Sequence, residues 1–228
     1  MPYNVIPFFL IGLSALFFGL RGYTHYRKTR TPLSFYFGIS GILAGISGIS
    51  YALPFIFTYD VFTLKIMTLV GDFFYYGAIL VEVRIIWYLG LKKKISFYWL
   101  LGPMLVIQVF NIVVTAITLP NIKYEIVNNF VTFPVAPLAS WVFALISTSF
   151  VMVGYLTIKE AYGIKEKSQR IRMYMIGSVF ALGGATAIYN YVFLQGDSDT
   201  TAPFIGYSLA ALALFVGVFF ISRKRSSS

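Results

Sequence analysis

The sequence predicts an all-α, polytopic integral membrane protein, a single domain over residues 1–228 built as a seven-transmembrane helix bundle. Three observations carry that prediction. Seven apolar stretches, each near the ~20 residues needed to cross a bilayer, fill almost the whole chain. Clusters of positive charge follow only the odd-numbered stretches, which predicts an N-terminus outside and a C-terminus in the cytoplasm of a multi-pass cell-membrane protein. Composition is 58% hydrophobic and 11% charged, far from the mixed surface of a soluble domain.

The first stretch, Tyr3–Leu20, has no positive charge ahead of it and no small-residue cleavage site behind it, so it reads as a retained span and not as a signal peptide. Gly12, Ala15, Gly19 and Gly22 mark one of its faces, and Arg21, Arg27, Lys28 and Arg30 follow it. The second, Leu33–Phe57, carries Gly38, Gly41, Gly45 and Gly48 at the same kind of spacing. Without water to drive helices together, small residues let backbones approach, so these stripes predict close helix packing and nothing more. The third, Met67–Leu89, ends in Lys92, Lys93 and Lys94, and the fourth runs Ile95–Leu119. A mixed polar and apolar segment, Pro120–Pro134, then forms the longest connection, either a partial lid over the outer mouth or a simple connector. The fifth stretch, Val135–Ile158, is followed by Lys159, Lys165, Lys167, Arg170 and Arg172. The sixth runs Ile171–Leu194, and Gly177 and Gly184 faintly echo Gly38 and Gly45 of the second. The seventh, Ala202–Ser222, carries Gly206, Ala210, Ala213 and Gly217 and exits into Arg223, Lys224 and Arg225.

The net charge of +10 is confined to segments flanking the membrane. That distribution assigns it to topology and to anionic membrane lipids, with no nucleic acid partner. Zero cysteines exclude disulfides, lipidated cysteines and thiolate metal sites. His25, the single histidine, lies in a basic connection, so bis-histidine haem and histidine-rich zinc sites are excluded within one chain. The seventh stretch has no lysine for a retinal Schiff base. No cofactor, no metal and no catalytic constellation is expected, so the chain reads as non-enzymatic.

Intramembrane polar groups remain, and hydrocarbon makes such groups costly enough to be functional candidates. On the third helix Glu82 lies about 80° around the axis from Asp72, with Tyr75 between them, while Arg84 points roughly 160° from Glu82. Asp72 and Glu82 are expected to turn inward with Tyr75 and Tyr76, and Arg84 to snorkel to headgroups. On the fourth helix Gln108, Asn111, Thr115 and Thr118 fall in one sector of about 80°, a polar stripe on an apolar span. The fifth offers Trp141, Ser147 and Thr148, and the sixth Tyr189, Asn190 and Tyr191. Asp72, Tyr75, Tyr76, Asn111, Trp141, Tyr189 and Asn190 share the outer half of the membrane, and together they form the expected ligand-binding pocket. The competing expectation is that all of them serve as helix-to-helix ties.

From Lys165 onward the sequence holds a basic run before helix six (Lys167, Arg170, Arg172), Gly177, the Gly183–Gly184 pair, Asn190, the Pro203 and Gly206 start of helix seven and the basic exit Arg223–Arg225. This resembles the last two helices of the N-terminal seven-helix membrane region of bacterial and archaeal histidine kinases. The resemblance implies a sensory or ligand-binding module whose seventh helix leads into a cytoplasmic signalling domain. Here only Ser226, Ser227 and Ser228 follow Arg225, so the expectation is a stand-alone bundle without a kinase domain.

The function expected is therefore a receptor-like, sensory bundle that binds a small apolar or amphipathic ligand and signals to a cytoplasmic partner or through a homodimer. A small secondary transporter or channel, lined by the helix-three carboxyls and the helix-four stripe, is the first alternative. An accessory subunit of a membrane complex is the second. Solute uptake into liposomes separates the first two, and a stable co-purifying partner marks the third.

Overall fold

The computed structural model describes residues 5–57, 60–92, 94–118, 126–127, 130–131, 137–193 and 209. Its elements are α1 (Val5–Thr29), α2 (Pro32–Phe57), α3 (Val61–Ile86, continued by a π-helical turn, Trp87–Leu91), α4 (Tyr98–Thr118), a short β-hairpin (β1, Ile126–Val127; β2, Phe130–Val131), α5 (Pro137–Tyr162) and α6 (Lys167–Phe193). Six helices among the described residues are long and apolar enough to cross a membrane, so the chain is a multi-pass helical membrane protein. The expected seventh span, Ala202–Ser222, and most of Pro120–Pro134 lie outside the described residues.

Helices overrun the apolar stretches because backbone pairing does not stop where the side chains turn polar. α1 continues from Leu20 through the basic segment to Thr29, and Arg30 closes it in the left-handed region (φ 56°), its N–H donating to the Tyr26 carbonyl at 2.7 Å. α3 starts six residues before Met67. There the Oδ2 atom of Asp60 accepts from the Thr63 N–H at 2.9 Å and from the Thr63 hydroxyl at 2.8 Å. The backbone bond to Thr63, then the hydroxyl bond, hold the Asp60 carboxyl below its usual range.

The most extensive contacts join α1 to α2 and α5 to α6, with α2 against α3 next. Both hairpins are seated on glycine. A Cβ at Gly12 would lie 2.7 Å from the Ile49 nitrogen, and one at Gly41 2.8 Å from Cα of Gly19. A Cβ at Gly19 would collide with the backbone of Ile42, Gly38 and Gly41. In the other hairpin a Cβ at Gly154 would lie 2.6 Å from the Ala181 nitrogen, and one at Gly177 2.8 Å from the Gly154 carbonyl oxygen. Such backbone-to-backbone approach maximises dispersion where no hydrophobic effect separates helix from lipid. α3 bridges the two hairpins, and among the described residues α4 touches mainly α3 and α5 and is the least buried of the six spans. Its exposed Val106, Val109, Phe110, Val113 and Ile117 face outward.

Gly19→Ala is expected to lower the thermal midpoint of the purified protein sharply, because the obstructing atoms are backbone. Gly102→Ala, with nothing within 4 Å of the added Cβ among the described residues, should be neutral or stabilise by up to about 1 kcal/mol. Equal effects of the two substitutions would refute glycine-seated packing.

Candidate functional site

α3 is the polar axis of the bundle, and hydroxyls from neighbouring helices meet its carboxyls. Asp72 and Glu82 are both buried. The Tyr51 hydroxyl of α2 donates to Oδ1 of Asp72. Ten residues on, Ser40 Oγ of α2 donates to Oε1 of Glu82 at 3.3 Å, while Ser149 Oγ of α5 donates to Oε2 at 3.1 Å. Each oxygen of this fully buried carboxyl thus takes one hydroxyl from a different helix, tying α2, α3 and α5 together. Leaving such a group without donors in a dry interior costs several kcal/mol, on the order of 2–7.

The region around Tyr75 and Tyr76 repeats the device. Ser147 Oγ donates to the Phe143 carbonyl at 2.7 Å, which spends its single proton, so the Tyr75 hydroxyl is the donor in the 3.1 Å contact between Tyr75 and Ser147. The Asn111 Nδ2 group of α4 donates to the Tyr76 hydroxyl at 2.6 Å. Tyr76 stacks on Phe143 (5.7 Å between centroids, 20°) and Phe143 on Tyr191 (4.9 Å, 16°). Tyr75 stacks on Phe150 (5.8 Å, 22°), and Phe150 on Phe180 (6.1 Å, 27°). These stacked rings pack α3 against α5 and α5 against α6.

α4 keeps its polar stripe inward, with Gln108, Asn111 and Thr115 all buried. Gln108 is 3% exposed and its Nε2 group has no hydrogen-bond partner among the described residues; Asn111 is fully buried and its Oδ1 atom is likewise unpartnered. Thr115 Oγ1, a turn further along the same face, is a third such atom, so α4 presents three buried polar atoms without a hydrogen-bond partner among the described residues. Each costs about 1–3 kcal/mol.

Of the seven residues expected to line a pocket, the structure brings four together: Asp72, Tyr75, Tyr76 and Asn111. Trp141 does not join them. It is 55% exposed and begins an outward stripe that continues through Leu145, Met152 and Tyr155, so shared depth misled where helical phase decides. Tyr189 is 44% exposed, while the Asn190 side chain lies outside the described residues. Arg84, expected to snorkel to headgroups, is held at the end of α3: its Nε donates to the Tyr36 hydroxyl at 3.2 Å and its guanidinium lies over the Trp87 and Phe97 rings.

The reading from sequence missed Tyr51, Ser40 and Ser149. One signal was available for Tyr51: a Cβ on Gly71 would lie 2.8 Å from Cε1 of Tyr51, so the glycine just before Asp72 makes room for the ring that reaches it. No group of three His, Cys, Asp or Glu side chains among the described residues is placed to hold a metal ion. No protein-family model, no curated protein and no solved structure matches the chain.

If the Tyr51–Asp72 bond ties α2 to α3, a double-mutant cycle on Tyr51→Phe and Asp72→Asn, read by thermal unfolding in detergent, should give a coupling of about 0.5–3 kcal/mol. Additive effects would show that the two side chains do not interact.

Proposed function

We propose that the protein is a non-enzymatic, receptor-like bundle of seven helices in the cell membrane, with its N-terminus outside and its C-terminus in the cytoplasm. It binds a small apolar or amphipathic ligand between α3, α4 and α5 and passes occupancy to a cytoplasmic signalling partner. The orientation rests on the positive charge that follows the first, third, fifth and seventh stretches. The resemblance of helices six and seven to kinase sensory regions is the ground for a signalling partner.

The observation that carries the ligand-binding reading is the set of α4 atoms without a partner among the described residues, in which Gln108 Nε2 and Asn111 Oδ1 lie one turn apart. A ligand with one acceptor and one donor on an apolar body satisfies both, and it does so on the helix that is least buried among the described spans. Ligand that prefers one position of α4 over another shifts the bundle between two states, as signalling requires.

This reading predicts opposite effects of one substitution. Gln108→Leu nearly keeps the volume and removes the orphaned donor, so the ligand-free protein should gain about 1–2 kcal/mol in thermal unfolding. The same variant should lose the small-molecule adduct that native mass spectrometry detects on the wild type released from its own membrane. A destabilised Gln108→Leu, or a wild type that carries no such adduct, would contradict the reading.

The transporter alternative has its own observation, the two buried carboxyls of α3, each met by hydroxyls. Intramembrane carboxyls of this kind line proton relays in transporters. Proton-driven solute uptake into liposomes, abolished by Glu82→Gln, would favour it over the receptor.

A further inference from the structure

At the other end of α3, away from Asp72, the chain builds a second site. The π-helical turn Trp87–Leu91 widens the end of the helix, a local change often found at functional sites. The turn is pinned to the next segment: the Trp87 Nε1–H donates to the Ile95 carbonyl at 2.8 Å, and the Lys94 and Ile95 N–H groups donate to the Leu91 carbonyl at 2.8 and 3.1 Å. Between turn and segment lies an open cleft of about 520 Å³, lined by Arg84, Trp87, Lys92, Lys94, Ile95, Ser96, Phe97 and Tyr98.

Three of the lining residues are cations and none is an acid. Arg84 is half-buried and pre-positioned: Cζ lies 4.4 Å from the Trp87 centroid and 4.3 Å from that of Phe97, and Nε is committed to Tyr36. No carboxylate pairs with its guanidinium among the described residues, which leaves the two terminal nitrogens as a fixed fork. Planar forks of this kind take phosphate oxygens two at a time. Lys92 and Lys94 are exposed at the rim, and Lys92 Nζ sits 5.0 Å from the Tyr88 centroid.

The surroundings choose between a soluble anion and a lipid. Tyr98 and Trp99, 77% and 79% exposed, are the kind of large amphipathic rings that sit at headgroup depth. Beyond them α4 turns exposed apolar residues, Leu105 and Val106 among them, toward the hydrocarbon. A molecule seated in the cleft therefore has cations at one end and an apolar wall running from it.

We propose that this cleft binds the headgroup phosphate of an anionic glycerophospholipid, held by Arg84 and flanked by Lys92 and Lys94, with the acyl chains along α4. The site is separate from the α3–α4–α5 seat and does not depend on it.

The test uses the full chain in detergent, with phosphatidylglycerol as the probe and native mass spectrometry and thermal unfolding as readouts. Phosphatidylglycerol should be retained in preference to phosphatidylcholine and should raise the thermal midpoint. Arg84→Gln should weaken its retention about tenfold, and Arg84→Lys should recover only part of that, since the fork is lost. Because Arg84 also packs on two rings, the exposed pair Lys92→Gln/Lys94→Gln provides a version that leaves the packing intact and should weaken retention severalfold. Lys159→Gln/Lys165→Gln, on another basic connection, should change nothing. Equal loss in that control would overturn the proposal in favour of diffuse charge. Displacement of the lipid by millimolar inorganic phosphate would overturn it in favour of a free anion, and equal retention of phosphatidylcholine would overturn it outright.

Discussion

Helices in hydrocarbon have no water to push them together, so they must be joined either by backbones close enough for dispersion or by polar groups that cannot be satisfied elsewhere. This chain uses the two means mainly at different seams, with α2 and α5 taking part in both. Glycine brings α1 against α2 and α5 against α6 at backbone distance. Carboxyl, hydroxyl and amide groups attach α3 to α2, α4 and α5. A methyl group added to the first kind of seam obstructs main chain, whereas a group removed from the second kind leaves a polar partner stranded.

The division has a mechanical consequence at α4. That helix has no glycine seam; its outward side is apolar and exposed, and its inward polar face holds Tyr76 through Asn111 while Gln108 Nε2 and Asn111 Oδ1 go unpartnered. Among the described residues it is attached to its neighbours by few bonds. The two hairpins, in contrast, are packed at backbone distance, where an added Cβ at Gly19 or Gly154 would meet main-chain atoms. If the proposed ligand binds, α4 is the helix expected to move, and the cationic cleft lies where the turn from α3 enters that same helix.

The sequence was most legible where one physical rule acts alone. Apolar runs located six spans, and the spacing of Gly12, Gly19, Gly41 and Gly48 named the faces of α1 and α2 that meet. The inward turn of Asp72 and Glu82 followed from the cost of exposing a carboxyl to lipid. The polar stripe of α4 was visible as Gln108, Asn111 and Thr115 in one sector. Legibility ended where two helices must be phased against each other. Depth along the membrane put Trp141 beside Asn111, but rotation put it outside with Leu145 and Met152. Nothing in the periodicity of α2 singles out Tyr51 from its neighbours, because its role depends on a space opened by Gly71 on another helix. The position of Arg84 depended on Trp87 and Phe97, which the π turn and the connection to α4 bring over it.

The central claim is that α4 is the loosely attached helix of an otherwise fixed bundle. Because the chain has no cysteine, spin labels can be introduced in pairs without removing any residue. The most direct measurement is pulsed electron double resonance in lipid nanodiscs on Val109→Cys/Leu145→Cys, which spans α4 and α5, against Leu145→Cys/Leu182→Cys, which spans the glycine-seated α5–α6 hairpin. A distance distribution clearly broader for the α4 pair supports the account; equal, narrow distributions for both pairs would contradict it.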